Sequence, residues 1–370
     1  MDKVRVGLIG SGFASAIHCE ALRRVPAAEV VAVASPRGAA GFAARHAIPR
    51  WYADYRELLE SRDLDMVVLG IPNDLHCQVT VNAAAAGKHV VVEKPLAMNL
   101  EQADRMIEAC RAAGVKLMYA EELCFAPKYV RLKQLVEEGA LGRVYLVKQS
   151  EKHDGPHSAW FWDVCRSGGG VAFDMGCHAV EFFRWMLGKP AARDVYAQLA
   201  TCVHSGKTEG DDNALILVSF EGSAIGLAEE SWTKPGGMDD RAEVYGSEGV
   251  AYADLLRGSS ILTYSARGYG YAVEKAGETR GWSFTMFEEV WNYGFPQEFE
   301  HFVDCVAHDR TPRETGEDGR AVLEILMAAY ESARAGRRVS LPFSAAARAP
   351  IELWKPGILG GGPGTRAGRE

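Results

Sequence analysis

A glycine turn, Gly10-Ser11-Gly12, follows the β-branched run Val4–Ile9 and opens the alanine-rich stretch Ala14–Val25, which Pro26 ends. The first glycine permits a sharp reversal out of a buried strand. The second leaves backbone open to a phosphate group held over the unpaired amides of a helix N-terminus. Phe13 and Ala14 begin the helix, and small Ser15 replaces the third glycine of the strict dinucleotide fingerprint. The alternation continues down the chain. Strands are predicted at Glu29–Ala34, Met66–Ile71, His89–Val92 and Lys116–Ala120, with helices at Gly38–His46, Asp54–Ser61, Leu75–Ala86 and Leu100–Ala113. Strands alternating with helices predict an α/β fold with a parallel, doubly wound sheet over residues 1–122.

Beyond that point the pattern changes. Helices are predicted at Lys128–Glu138, Met175–Leu187, Gln297–His308 and Glu317–Ala335. Between them lie strands at Val144–Glu151, Val195–Val203, Asn213–Phe220, Ser223–Trp232 and Arg241–Tyr245, with others to about Val273. Glycine turns such as Glu221-Gly222 mark hairpins, so residues 123–345 read as a second α/β domain with an open, mainly antiparallel sheet. Residues 346–370 form a C-terminal extension, whose glycine-rich end, Gly360–Glu370, reads as a flexible tail.

The 370 residues carry 41 Lys and Arg against 49 Asp and Glu, a formal net charge of -8. An acidic chain is repelled by a phosphate backbone, which argues against nucleic acid as a partner. No apolar run approaches the roughly 20 residues that span a bilayer, so no membrane partner is expected. Met1-Asp2-Lys3 passes directly into a strand, unlike a secretory leader. The 8 cysteines are scattered, without a C-x-x-C pair, as in reduced cytoplasmic proteins. Cys165, Cys177 and His178 supply three zinc-ligand types but no evident fourth, and no metal is expected.

Two further constellations carry chemistry. Glu93-Lys94-Pro95 follows a predicted strand, which aims Lys94 into the crevice where doubly wound sheets bind ligands; Pro95 invites a cis bond. The segment Gly168-Gly169-Gly170 leads into Asp174 and His178, four apart and on one face if helical. Histidine is a natural proton acceptor near neutral pH, and a carboxylate can orient it. At the end of the second strand, Ala34-Ser35-Pro36-Arg37 lacks the acid that often holds an adenosine ribose. Arg37 could pair with a 2′-phosphate, so the choice between NAD and NADP stays open with a tilt to NADP.

These motifs, together with Ile71-Pro72-Asn73-Asp74-Leu75-His76, Gly87-Lys88-His89-Val90 and Gly139-Ala140-Leu141-Gly142, resemble the Gfo/Idh/MocA oxidoreductases over residues 3 to 345. The resemblance implies a Rossmann domain followed by a sheet domain that mediates homodimers or homotetramers. It implies an NAD(P)-dependent dehydrogenase or reductase acting on a secondary alcohol or ketone of a sugar, cyclitol or glycoside. Lys94, Asp174 and His178 match the catalytic set, with His178 as the base. Gly10, Gly12, Phe13, Ala14, Ser35, Arg37, Ile71, Pro72, Asn73, His76, Glu93 and Lys94 are the expected cofactor contacts.

Where relatives carry Asn-x-Arg before Phe-x-Pro, this chain reads Glu122-Leu123-Cys124. Losing an arginine and gaining an acid argues against a phosphorylated or carboxylated substrate and for a neutral or amine-bearing one. Glu151, His153, Asp154 and Asp163 are expected to add negative potential. The alternative is that Glu121 or Glu122 pairs with Lys128 or Arg131. Within the aromatic segment 157–163, Trp162 is the expected substrate contact, alongside Lys94, Glu122, His153, Asp174 and His178. Two other functional classes remain open: a lyase or glycosidase that oxidises its sugar transiently, and a nonenzymatic nucleotide-binding regulator.

Overall fold

The structure is a computed structural model that describes residues 3–256, 261–270, 273–286 and 288–359. Six strands, β1 (Val4–Ile9), β2 (Ala28–Ala34), β3 (Arg50–Tyr52), β4 (Met66–Leu69), β5 (His89–Glu93) and β6 (Leu117–Ala120), pair in parallel in the order β3-β2-β1-β4-β5-β6. β4 and β6 are buried along their whole length, which is why they are continuous apolar runs without alternation. The order reverses at β1, so a crevice opens beyond the ends of β1 and β4. Gly10 lies there with φ of +117°, and a Cβ on it would come within 2.1 Å of the Gly70 carbonyl oxygen. The edge strand β3 was not anticipated. Three half-exposed residues are too few to show a hydrophobic period.

The second sheet contains β7 (Val144–Lys152), β8 (Ala192–Ala200), β9 (Asn213–Phe220), β10 (Ile225–Ser231), β11 (Asp239–Gly246) and β12 (Val250–Asp254). β13 (Ile261–Ser265) and β14 (Gly281–Thr285) form a separate hairpin, and β15 (Val339–Ser340) joins the large sheet at its edge. The order is β12-β11-β7-β10-β9-β8-β15, antiparallel except for β7 beside β10. Along β7 the buried positions alternate, and they include Val147, Gln149 and Glu151. This inner face is covered by the helix Gly176–Leu187, itself packed beneath the helix Gly316–Ala335.

The two sheets are held together by helices from the second half of the chain. The helix Phe295–Ala307 packs on Phe13–Arg23, and Gly316–Ala335 packs on Leu100–Ala113. Part of the C-terminal extension is also docked: the helix Pro350–Trp354 buries Ile351, whose amide donates to the Gly168 carbonyl at 2.9 Å. The tail Gly360–Glu370 lies outside the described residues.

Candidate active site

Lys94 leaves the end of β5 beside Pro95, and the bond between them is cis. The preceding Glu93 is anchored on both sides. Its Oε1 lies 2.7 Å from His18 Nε2, and its Oε2 accepts from the Lys94 amide at 3.0 Å. The Lys94 ammonium donates to the Asp174 carbonyl and to Asp174 Oδ1, both at 2.9 Å. An ammonium has three donors, so one N–H remains for an oxygen in the cleft. Burial is the largest single influence and disfavours the charge on Lys94, but the acids around it, Asp174 foremost with Glu122 and Glu151, together outweigh burial and hold the lysine well above its usual range. Burial likewise works against the Asp174 carboxylate, and Lys94 holds it below the usual carboxylate range. Trp232 Nε1 donates to the other Asp174 oxygen at 3.3 Å.

Asp174 and His178 do not share one helix. Asp174 ends the short turn Val171–Asp174, Met175 interrupts, and His178 sits in the first turn of Gly176–Leu187. Both still face the same cleft. His178 Nδ1 lies 2.6 Å from Glu121 Oε1 at the end of β6, and its Nε2 lies 3.8 Å from Glu122 Oε1. Burial, reinforced by the Lys94 charge, lowers the His178 imidazole to about 4, so it is neutral at pH 7. Burial pushes the Glu121 carboxyl well up and raises Glu122 to about 7. The pairing of Glu121 or Glu122 with Lys128 or Arg131 is not what the fold builds. Lys128 reaches the Asp254 carbonyl, Arg131 pairs with Glu138, and both glutamates turn toward His178.

The cleft has a volume of about 160 Å³. Of the expected site residues it is lined by Gly12, Phe13, Ala14, Ile71, Asn73, Glu93, Lys94, Glu122, His153, Asp174 and His178. Others stand behind it. Gly10 shapes the turn. His76 is fully buried, with its two ring nitrogens each 3.0 Å from the Pro95 and Ile71 carbonyls, where it props the Lys94 turn. Pro72 caps the turn Asn73–Leu75. The Asn73 amide is committed to the Ser167 carbonyl at 2.8 Å, a clasp between the two halves of the chain. Trp162 does not line the cleft. It packs against Gly155, Trp232 and His204, while its neighbours Trp160 and Phe161 face inward. The glycine run serves packing: a Cβ on Gly170 would fall 1.9 Å from the Asp211 carbonyl oxygen.

Several lining residues gave no local signal, among them Met238, Glu274, Tyr293 and Phe295. Glu151 could have been found from the inward alternation of β7. His157, three residues before Trp160, stacks on Phe13 with ring centroids 4.4 Å apart and holds Glu274 Oε1 at 2.8 Å. Asp154 and Asp163 lie off the cleft; Asp163 caps the next turn through the Cys165 amide. Cys165 is exposed and apart from Cys177 and His178, whose ligand atoms instead gather with Glu121 within 4.8 Å. Those atoms already have partners: Cys177 Sγ donates to the Asp174 carbonyl, and Glu121 and His178 bond to each other. All eight cysteines are free.

A dinucleotide fits the residues present. A Cβ built on Gly12 meets nothing within 4 Å, and the helix Phe13–Arg23 begins there without a side-chain cap or an acid in its first turn. Its first amides are therefore open to a pyrophosphate. At the end of β2, Ser11 Oγ lies 2.9 Å from both Ser35 Oγ and the Arg37 carbonyl oxygen, and the Arg37 side chain is exposed there.

Comparison with known proteins agrees with this geometry. Residues 4–121 match the oxidoreductase family with the NAD-binding Rossmann fold, and residues 129–252 match the GFO/IDH/MocA C-terminal domain. The scyllo-inositol 2-dehydrogenase (NAD(+)) of Bacillus subtilis is 30% identical, over 92% of this chain and 96% of its own. The myo-inositol 2-dehydrogenase of Thermotoga maritima is 28% identical, over 91% of this chain and 98% of its own. Among solved structures, GenD2 from gentamicin A biosynthesis, in complex with NAD, superposes with a TM-score of 0.88 at 33% identity, covering 93% of this chain and 97% of that one.

Proposed function

Because the chain belongs to the Gfo/Idh/MocA oxidoreductase family, we propose that it is an NAD(P)-dependent dehydrogenase or reductase of a secondary alcohol or ketone on a sugar, cyclitol or glycoside. The observation that carries this reading is the convergence of a charged Lys94 and a neutral His178 on one cleft beside the Gly12 turn. When bound, the nicotinamide supplies the two-electron acceptor or donor. Lys94 points its remaining N–H at the reacting oxygen and stabilises negative charge developing there. Asp174 fixes the ammonium in place. His178 takes the hydroxyl proton at Nε2, provided that Nδ1 carries the proton shared with Glu121. Phe13, His157, Trp160 and Phe161 offer flat apolar faces for a ring.

The test is a panel of inositols, hexoses and glycosides with NAD and with NADP, following reduced cofactor and product mass together. Net reduced cofactor with an oxidised product supports the reading. Turnover without net redox change would transfer the site to transient oxidation by a lyase or glycosidase.

The outer face of the large sheet supports a homo-oligomer. Tyr196, Leu215, Ile225, Val250 and Tyr252 all stand on it and are exposed. On this face the exposed apolar side chains are interleaved with the ion pairs Lys148–Glu243 and Lys152–Glu229, a mixture that suits contact with a second copy of the chain. Free cysteines and the lack of any helix, among the described residues, long and apolar enough to cross a membrane are in keeping with a cytoplasmic enzyme.

A further inference from the structure

The inner end of the large sheet buries a row of acids. Glu151 on β7 is flanked by Glu230 on β10 and Asp240 on β11, each directly opposite it in register. Like charges placed side by side in a sheet are destabilising unless something answers them. Asp240 is answered by Tyr129, whose hydroxyl donates at 2.5 Å, and by Gln149 at 3.3 Å. Glu230 accepts from the Glu151 amide at 3.0 Å. Glu230 Oε1, Asp240 Oδ2 and Glu151 Oε2 are all buried without a hydrogen-bond partner, but Glu151 is the member of the row that lines the cleft, where it is 6% exposed.

The remaining acids of the cleft help to interpret this. Glu93 is held by His18, Asp174 by Lys94, and Glu274 by His157. Glu122 is 8% exposed, and its Oε1 stands 3.8 Å from His178 Nε2, too far for a hydrogen bond. Two buried carboxyl groups therefore face the ligand space without a cation of their own. Lys94 acts on both through space, but two of its three donors go to Asp174 and none reaches either glutamate within hydrogen-bond distance. Burial pushes both groups toward the neutral acid, Glu122 to about 7 and Glu151 well up, and a cation seated between them would favour the ionised form.

We propose that Glu151 and Glu122 form the recognition site for a protonated amine on the substrate, so that the molecule oxidised is an amino sugar, aminocyclitol or aminoglycoside. This rests on the dehydrogenase reading above and names its substrate class. An ammonium supplies three donors and one charge, which matches two carboxylates better than a hydroxyl does. Its place near the reacting centre follows from the cleft they share: Glu122 and Glu151 line it together with Lys94, Asp174 and His178.

The test compares methyl glycosides of 2-, 3- and 6-aminohexoses, and aminocyclitols, with their hydroxyl and N-acetyl counterparts. Acetylation keeps the position and removes the charge. We expect kcat/KM with NAD or NADP to favour one free amine over both counterparts by about tenfold or more, as a charge-assisted pair allows. Glu151→Gln and Glu122→Gln, near-isosteric, should each shrink that ratio, chiefly through KM. Calorimetry on the cofactor-loaded enzyme gives the same comparison as binding. Equal kcat/KM for amine, hydroxyl and acetamide in the unaltered enzyme, which needs no variant to fold, overturns the inference while leaving the dehydrogenase reading intact. If no compound is oxidised, that reading fails, and the amine site then stands or falls on calorimetry: selective binding of a free amine supports it, and equal binding ends it.

Discussion

Glu121 Oε1 lies 2.6 Å from His178 Nδ1, with both groups withdrawn from solvent. A single proton shared across that contact decides which ring nitrogen faces the cleft as an acceptor. If Nδ1 holds the proton, Nε2 is the base. Glu121 is therefore a positioning residue. Replacing His178 by Ala should lower kcat by about 10²- to 10⁴-fold, the usual worth of a general base. Glu121→Gln should cost less, with the loss in kcat rather than KM and a displaced pH profile. A Gln variant with an unchanged pH profile would show that the contact is structural only.

The imidazole also links pH to stability. His178 titrates at about 4 in the fold because burial, then Lys94, disfavours its charge, and near 6.5 once unfolded. Between those values the unfolded chain binds more protons. Stability is then fully present above about 6.5 and falls as pH drops toward 4. His178→Gln should flatten the part of the melting-temperature profile within that window.

Lys94 and Asp174 form a pair with 17% and 6% side-chain exposure. Removing one member leaves the other charge buried, which costs about 3–5 kcal/mol. Lys94→Met should therefore lose turnover and also melt early. The double change Lys94→Met with Asp174→Asn should recover much of the melting temperature and none of the turnover. Recovery of activity in the double variant would remove Lys94 from the chemistry.

Gly12 has φ of -91° and open space where a side chain would go. Gly12→Val should fold normally yet fill the cradle, raising the dissociation constant for NAD by tenfold or more on the reasoning that pyrophosphate must approach the backbone closely (an estimate of about 1.4 kcal/mol). Fluorescence titration against the unaltered protein checks this. Unchanged binding would place the dinucleotide elsewhere.

Arg37 is exposed at the corner beyond β2. Arg37→Ala should weaken NADP more than NAD, by roughly the tenfold that one phosphate contact supplies. Equal effects on the two cofactors would mean the guanidinium serves solvent, not a 2′-phosphate.

Leu215 and Ile225 project from the outer face of the large sheet. Leu215→Arg should shift the protein toward monomer in sedimentation while sparing the inner core. An unshifted assembly would direct attention to another surface.

The strand–turn–helix at Gly10 and the placement of Lys94 were legible in the chain because they depend on local rules: β-branched runs, glycine at a positive φ, and a ligand crevice at strand ends. Asp174 and His178 were legible as a pair, although Met175 breaks the helix assumed to join them. The partners of these groups were not legible. Glu121 and His178 are 57 residues apart, and Asn73 and Ser167 are 94 apart. Such contacts arise when the helices Phe295–Ala307 and Gly316–Ala335 pack against the first domain, not from any spacing within a segment. The same is true of Trp162, one of three neighbouring aromatics, which turns away while Trp160 and Phe161 turn in. Local order thus wrote the fold class and the site's chemistry into the chain. Which charge meets which was left to the packing of the two halves, because electrostatic partnership depends on distance through space and burial, and neither is a property of neighbours along the backbone.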